Sequence, residues 1–253
     1  MVTLSSDFGP YYPAAMRGVL VGRGIERVVD VTHELPRQDV HQSAFWLREL
    51  LAYFPPAVHC VVVDPGVGTD RDVSILRAGG HALVGPDNGV LWPVASRLAS
   101  EDGIESYGFE HVDPASETFH GRDVFAPLAA AIGHLGIDRL EALPGLSVAD
   151  EPTRLALSQA AIGKGHADVT ILAVDGFGNA ITDFEGSEVP FGPGSTVRID
   201  GVATPVVRTY GAVDEGEALV TVGSHGHVEL AQNQGRGTDA FDVDVGDTLR
   251  LEW

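Results

Sequence analysis

The pattern of apolar residues changes near Asp168, and this change constrains the fold more than any other feature of the sequence. Before it, short apolar runs such as "MVTLSS" and "AVHCVVVDPG" alternate with stretches of helical periodicity such as "DVHQSAFWLRELLAYF". A continuous apolar run that ends in Pro and Gly is typical of a strand covered on both faces. The first part of the chain therefore predicts an α/β domain with a central, mainly parallel sheet over residues 1–145.

From Asp168 onward the chain consists of short β-rich runs such as "DVTILAVDGFGNAITDF" and "ALVTVGSHGHVELAQN", separated by Gly, Pro and Asp. Since no long helical pattern interrupts these runs, they predict an all-β, barrel-like domain over residues 168–253. The irregular stretch 146–167 is interpreted as the linker that crosses from one domain to the other.

The charge balance argues against several classes of partner. The chain has 36 acidic and 16 basic residues, a net charge of -20, and a single lysine at Lys164. Such a surface repels phosphate backbones, which disfavours nucleic acid. It also suggests adaptation to high salt, where screening weakens the self-repulsion. No apolar run reaches the roughly 20 residues that span a bilayer and no secretory signal is visible, so we expect no membrane association and a cytoplasmic protein.

Polar residues collect in loops that follow strands of the predicted α/β domain. Asp7 lies in "SSDFGPYY", Asp64 and Arg71 lie in "VDPGVGTDR", and His120 lies in "FHGRDVFAP". Ligands bind at such strand ends in α/β sheets, but a helix cap, a turn or a structural histidine explains the same residues. The glycine spacing matches neither a dinucleotide fingerprint nor a phosphate-binding loop.

Two loops of the predicted all-β domain carry further candidates. In "VDGFGNAIT", Asp175, Phe177 and Asn179 form either a glycine-rich turn or a surface on which a purine stacks and bonds through its edge. In "GSHGHVELAQNQG", Ser224 and Asn233 are candidate ligand contacts. The two histidines of that loop have no third ligand nearby, so no metal site is predicted.

Taken in order, these motifs resemble those of the S-adenosylmethionine (SAM) hydroxide adenosyltransferases, which are related to the fluorinase and chlorinase. The similarity covers "SSDFG", "THELPRQDV", "VDPGVGTDR", "VGPDNGVL", "TFHGRDVFAP", "VDGFGNAIT" and "GSHGHVELAQNQG". The resemblance implies an N-terminal α/β domain, a C-terminal β-barrel and a homotrimer. It further implies that SAM, which is the substrate and not a cofactor, binds between one subunit's N-terminal domain and its neighbour's C-terminal domain.

The resemblance also assigns roles to individual residues. The catalytic triad of the hydrolytic branch would be Asp64, Arg71 and His120. Substrate contacts would come from Asp7 to the ribose, Phe177 and Asn179 to the adenine, and Asp175 and Ser224 to the methionine portion. The sequence departs from the fluorinase at His225, Gln38 and Gly121, where the fluorinase has an arginine, an aromatic residue and a serine.

The expected reaction is metal-independent hydrolysis of SAM by attack of water at C5′, giving adenosine and L-methionine. A carboxylate at position 64 repels a halide, which disfavours the alternative of a halide-dependent, chlorinase-like adenosyltransferase. A non-catalytic adenosine- or SAM-binding protein and a metal-dependent hydrolase are the remaining alternatives.

Overall fold

The computed structural model describes residues 1–69, 71–110, 116 and 118–253. Contacts divide the chain into two units, Met1–Ala156 and Leu157–Trp253. This division falls within the expected linker 146–167, whose own limits stay a prediction. Within the described residues, no helix has the length and apolar character needed to cross a membrane.

The first unit alternates strands and helices, as the sequence predicts. Its elements are β1 (Val2–Ser6), α1 (Tyr12–Gly22), β2 (Val28–Thr32), α2 (Val40–Leu51), β3 (Val58–Val62), β4 (Val73–Ala78), β5 (His81–Pro86), α3 (Trp92–Leu98), β6 (Ile104–Phe109), α4 (Ala126–Leu135) and β7 (Leu146–Val148). A single π-helical turn, Gly121–Phe125, leads directly into α4, and 3₁₀ turns cover Glu101–Gly103 and Ile137–Ala142.

The strands of the first unit form a mixed sheet in the order β2-β1-β3-β5-β4-β6-β7. The pairs β1–β2, β1–β3 and β3–β5 are parallel, whereas β4–β5, β4–β6 and β6–β7 are antiparallel. The prediction of a mainly parallel sheet is therefore only partly correct. The physical reason is the tight turn Gly79-Gly80, in which both residues have positive φ angles of 55° and 82°. Two such glycines form a hairpin, which requires antiparallel neighbours.

The parallel strands β1 and β3 are buried along their whole length. On one face their side chains pack against α1 and α4, with Leu4, Met16 and Cys60 fully buried in a common core. Burial raises the pKa of the Cys60 thiol to about 12, which disfavours the reactive thiolate form. Because helices cover this sheet, the loops at its strand ends are the places left for a ligand.

The second unit is built almost entirely from antiparallel strands. Its elements are β8 (Ala161–Ile162), β9 (His166–Val174), β10 (Ala180–Glu185), β11 (Thr196–Ile199), β12 (Val202–Pro205), β13 (Ala218–Val222), β14 (His227–Gln232), α5 (Gly237–Phe241) and β15 (Thr248–Glu252), with a 3₁₀ turn at Tyr210–Ala212.

The sheet of the second unit follows the order β12-β11-β15-β9-β10-β14-β13, and β8 pairs with β9. Strand β9 alternates between buried and half-buried residues, which is the pattern of a strand with one face toward a core. An isolated bridge joins Val206, just after β12, to Val220 of β13. The bridge brings the two ends of the sheet together, so that the sheet nearly closes into a barrel.

Candidate active site

A cavity of about 400 Å³ lies at the strand ends of the first unit. Phe8 and Tyr12 line it from the segment after β1, and Asp64 and Val67 line it from the loop after β3. His120 lines it from the residue just before the π-helical turn. Three segments that are distant in sequence therefore meet at one cavity, as expected for the carboxyl ends of neighbouring parallel strands.

Asp64 and Arg71 form an ion pair at this cavity. The pair joins Arg71 Nη1 to Asp64 Oδ1, and the side chains retain only 20% and 7% of their accessible surface. Asp64 Oδ1 also accepts a hydrogen bond of 3.1 Å from the backbone N–H of Gly66. A Cβ atom at position 66 would overlap the Arg71 guanidinium, so the glycine provides the space in which the arginine lies against the loop.

Arg71 lies in a mixed electrostatic environment. Burial lowers the pKa of its guanidinium, and the negative charge of Asp87 acts in the opposite direction. Asp87 Oδ1 accepts a 3.0 Å hydrogen bond from the N–H of Thr153, and the Asn88 amide donates to the carbonyl of Val63 over 2.8 Å. The segment "PDNG" is thus a turn that ties the loops around the site together.

Arg122 and Asp123, which flank the cavity, pair with each other. Arg122 Nε and Nη2 donate to the two carboxylate oxygens of Asp123 over 2.6 and 2.8 Å. These bonds hold the pKa of Asp123 below its usual range. The guanidinium also lies over the Phe119 ring, 5.2 Å from its centroid. Asp123 lies in the first turn of the π-helical segment and does not cap it.

The wall of the cavity contains an aromatic cluster that the sequence does not single out. Phe8, Tyr12 and Phe119 contact one another edge to face, with ring centroids 5.4 to 6.4 Å apart. Gly121 packs against this cluster, since a Cβ there would lie 3.0 Å from Phe8 and from Met16 Sδ. The glycine therefore allows close packing and does not simply leave open space beside His120.

Asp7 organises the loop that follows β2. Its Oδ2 accepts a 2.8 Å hydrogen bond from the backbone N–H of Gln38, whose φ angle is 58°. Helix α1 begins after Tyr11 without a side-chain cap, so the alternative of Asp7 as a helix cap is wrong. Its role toward a ribose stays a prediction.

In the second unit, Asp175 closes the loop between β9 and β10. Its Oδ1 accepts from the backbone N–H groups of Phe177 and Asn179, and its Oδ2 accepts from Asn179 Nδ2, each over 2.9 Å. The Phe177 ring is 81% exposed, whereas Asn179 is 5% exposed. The glycine-rich turn is therefore present, and it carries an exposed aromatic ring and a fixed amide; the binding of a purine there stays a prediction.

The remaining candidates of the second unit differ in their surroundings. Ser224 is exposed in the turn between β13 and β14. Asn233 donates from Nδ2 to the carbonyl of Val213 over 2.8 Å, which secures the neighbouring loop. Within the part of the chain that the structure describes, no three His, Cys, Asp or Glu side chains form a group that could hold a metal ion.

Two residues near Asn179 were not predicted from the sequence. Tyr210 donates from its hydroxyl to Glu229 Oε2 over 2.9 Å, and Asn179 Nδ2 donates to the same hydroxyl over 3.4 Å. Glu229 is only 4% exposed, and burial raises its pKa. An acidic residue inside the apolar run "HVELAQ" is the signal that could have pointed to it.

The fold and these loops define a two-unit protein with a candidate acid–base site at the strand ends of its α/β unit. The chain belongs to the SAM hydroxide adenosyltransferase family. The family model of the N-terminal domain matches residues 2–141, and that of the C-terminal domain matches residues 169–250.

Individual relatives agree with this membership. The chain is similar to the (R)-S-adenosyl-L-methionine hydrolase of Salinispora tropica, with 39% identity across 99% of this chain and 97% of the relative. It is less similar to the fluorinase of Actinopolyspora mzabensis, with 24% identity across 88% and 86%. The crystal structure of an uncharacterized conserved protein from Thermotoga maritima superposes with a TM-score of 0.86 at 29% identity, covering 99% of this chain and 100% of that one.

Proposed function

We propose that this protein is a hydrolase that cleaves SAM with water to give adenosine and L-methionine. The observation that carries the proposal is the Asp64–Arg71 ion pair on the cavity that His120 also lines. Membership of the family and the similarity to a protein named SAM hydrolase support the proposal independently of the site's geometry.

The chemistry requires little more than an oriented water molecule. The C5′ carbon bonded to the sulfonium is already electrophilic, because the departing thioether leaves without charge. The water oxygen forms a bond to C5′ while the C5′–S bond breaks, and its electron pair stays on the sulfur of methionine. The water loses one proton, so the products are adenosine, methionine and H⁺. Positioning and removal of that proton are the tasks left to the protein.

In the proposal, Asp64, Arg71 and His120 carry out these tasks. The carboxylate and the imidazole orient the water and one of the two accepts its proton, while the guanidinium fixes the carboxylate and stabilises developing negative charge. Asp64 also disfavours a halide in place of water, since two negative charges 4 Å apart repel by about 4 kcal/mol at an effective dielectric constant of 20.

The proposed substrate contacts follow the sequence-based assignment. Asp7 binds the ribose hydroxyls, the Phe177 ring stacks on the adenine and Asn179 bonds to its edge. Asp175 and Ser224 face the methionine portion, and Asn233 supports the same site. Because Asp175 already accepts three hydrogen bonds from its own loop, we assign it to shaping the loop as well as to ligand contact.

The proposal extends to the assembly and surroundings of the enzyme. We propose a cytoplasmic homotrimer that binds SAM between subunits, uses no metal ion or cofactor and is adapted to high salt. Light scattering coupled to size-exclusion chromatography tests the trimer. Unfolding curves at increasing KCl test the salt adaptation, and a stability that does not respond to KCl contradicts it.

The decisive experiment for the function is incubation with SAM and EDTA in H₂¹⁸O. We expect adenosine that carries ¹⁸O in its 5′-hydroxyl group, with formation of L-methionine at the same rate. Absence of adenosine at every KCl concentration rejects the proposal. Loss of activity on chelation points to a metal-dependent hydrolase, and a 5′-chloro nucleoside formed in the presence of chloride points to the halide-dependent alternative.

A further inference from the structure

The orientation of the Asn179 amide is determined by its own unit. Its Nδ2 group donates to Asp175 Oδ2 over 2.9 Å and to Tyr210 Oη over 3.4 Å, so both amide hydrogens have acceptors. No hydrogen bond to Asn179 Oδ1 occurs among the residues that the structure describes. The group that Asn179 offers to a ligand is therefore the carbonyl oxygen, which accepts and cannot donate.

Tyr210 can accept from Asn179 because its own proton is used elsewhere. A phenol has one O–H, and that of Tyr210 points to Glu229 Oε2 at 2.9 Å. The hydroxyl oxygen is then left with lone pairs only. As long as Glu229 accepts this hydrogen bond, Tyr210 receives the N–H side of the Asn179 amide and not its oxygen.

Glu229 occupies a position where a carboxyl group is otherwise unfavourable. It lies on β14, paired with Ile181 of β10 on one side and with Thr221 of β13 on the other, and it is 4% exposed. Gly223 gives it room, because a Cβ there would overlap the carboxylate. A buried carboxyl group is costly unless hydrogen bonds offset the loss of water, and the bond from Tyr210 is one that does so here.

The same loop presents an aromatic surface beside the Asn179 amide. Phe177 lies two residues before Asn179, and its ring is 81% exposed. An exposed aromatic face next to a hydrogen-bond acceptor fits a flat heteroaromatic base that carries an exocyclic amino group. A base with an oxo group in place of the amino group would bring a second acceptor against the Asn179 carbonyl oxygen, and no hydrogen bond could form.

We propose that Tyr210 and Glu229 are positioning residues that hold the Asn179 amide with its oxygen toward the ligand, so that the site selects a 6-aminopurine over a 6-oxopurine. This inference rests on the proposed function, since it names the base that the SAM-cleaving site accepts. It gives Tyr210, which lies outside the quoted motifs, and Glu229, which lies within "GSHGHVELAQNQG", a role that the motifs did not assign.

The test compares two substrates in several variants of the full-length protein. Hydrolysis of SAM and of S-inosyl-L-methionine, which differs by a 6-oxo group, is measured for the wild type, Tyr210→Phe and Glu229→Gln. Tyr53→Phe serves as the matched control, because Tyr53 is 78% exposed in the other unit. Thermal unfolding of each variant is recorded in parallel.

We expect the wild type to prefer SAM by at least about 100-fold in kcat/KM, because a 6-oxo group leaves the amide oxygen without a donor. Tyr210→Phe removes one acceptor of the amide, and Glu229→Gln allows the Tyr210 proton to turn toward Asn179. Each change should lower the preference about tenfold, the value of one hydrogen bond, and should raise KM for SAM more than it lowers kcat. The control should keep the preference of the wild type.

A preference that stays within twofold of the wild type in the folded variants overturns the inference. So does a wild type that hydrolyses both substrates equally well, whether or not the variants fold. If the wild type produces no adenosine at all, the proposed function fails, and calorimetric affinities for adenosine and inosine decide the inference instead. Equal affinities for the two nucleosides then overturn it.

Discussion

Two Asp–Arg pairs border the cavity of the first unit, and they differ in how the arginine holds the carboxylate. Arg122 and Asp123 are adjacent in sequence and hold each other through two aligned hydrogen bonds of 2.6 and 2.8 Å. Asp64 and Arg71 come from opposite ends of a loop, and their contact is an ion pair in which one carboxylate oxygen also receives the Gly66 N–H. Arg122 and Asp64 both line the cavity, but Arg122 holds both carboxylate oxygens of Asp123, whereas the ion pair of Arg71 is with Oδ1 of Asp64.

Two histidines of the first unit, His59 and His120, also differ in their surroundings. His59 is fully buried in the sheet, where its ring nitrogens lie 2.7 Å from Thr3 Oγ1 and 2.8 Å from His81 Nδ1. His120 lines the cavity at the start of a π-helical turn. Residue type alone does not distinguish the two histidines. What separates them is whether the surroundings leave the ring on a cavity that a substrate can enter.

The largest expected effect follows from removing the groups that face the cavity. Asp64→Asn and His120→Ala should each lower the turnover of SAM at least about 100-fold, the lower scale for loss of an acid–base group. Single-turnover formation of adenosine at saturating SAM measures this. Asp123→Asn is the matched control for Asp64→Asn, since it removes the same charge from a carboxylate that Arg122 holds and that interacts electrostatically with His120. Near-normal turnover in both cavity variants removes these residues from the mechanism.

The buried histidines should control stability instead of activity. Burial, together with neighbouring His81, lowers the pKa of His59 to about 3, whereas a histidine in an unfolded chain titrates near 6.5. Below pH 6.5 the unfolded chain therefore binds a proton that the folded chain does not bind. The free energy of unfolding should fall by about 1.4 kcal/mol per pH unit for this histidine, or about 2 kcal/mol by pH 5.

Urea unfolding between pH 8 and pH 5 tests this acid dependence. Burial also lowers the pKa of His81, so the slope should steepen when both histidines contribute. His59→Gln should make the stability of the folded protein less sensitive to pH, even if it lowers the value at pH 8. A wild type whose stability is constant from pH 7 to pH 5 contradicts the neutral, buried state of His59.

The sequence could predict the separate elements and the loops of the site, because both are local. Helix α2 and the strands β1 and β3 lie where the apolar patterns place them, and each candidate residue lies in the loop that its motif indicates. The mixed sheet could not be predicted from burial alone, since a buried strand looks the same with a parallel or an antiparallel neighbour. The glycine pair before His81 was the one local signal of the hairpin.

The hydrogen-bonded network around Asn179 could not be predicted from local sequence patterns. Tyr210 lies in "VVRTYGAV", which reads as part of a β run, yet the chain leaves the strand and forms a 3₁₀ turn there. Its partner Glu229 is 19 residues further along the chain and on a different strand. Only the pairing of β14 with both of its neighbours brings these residues to the loop that carries Asn179.

A smaller effect is expected from Gly66→Ala, which disturbs the Asp64–Arg71 pair without removing either charge. The new Cβ would overlap the Arg71 guanidinium, and the flexible arginine can move away at little cost to stability. Turnover should therefore fall about tenfold while the midpoint of thermal unfolding stays close to that of the wild type. Gly18→Ala in α1 is the control, since a Cβ there meets nothing within 4 Å. Equal turnover in the two variants contradicts a precise position for Arg71.

The smallest effect is expected from Asp123→Asn, and it tests the other half of the comparison. Arg122 retains 39% of its side-chain surface, so solvent screens much of its interaction with Asp123, which retains 12%. The variant should keep turnover within about twofold of the wild type and lower Tm by no more than about 3 °C. Steady-state assays and calorimetry measure both values. A loss of turnover comparable to that of Asp64→Asn would contradict this distinction between the pairs. It would show that Asp123 contributes to the chemistry as well as to the turn before α4.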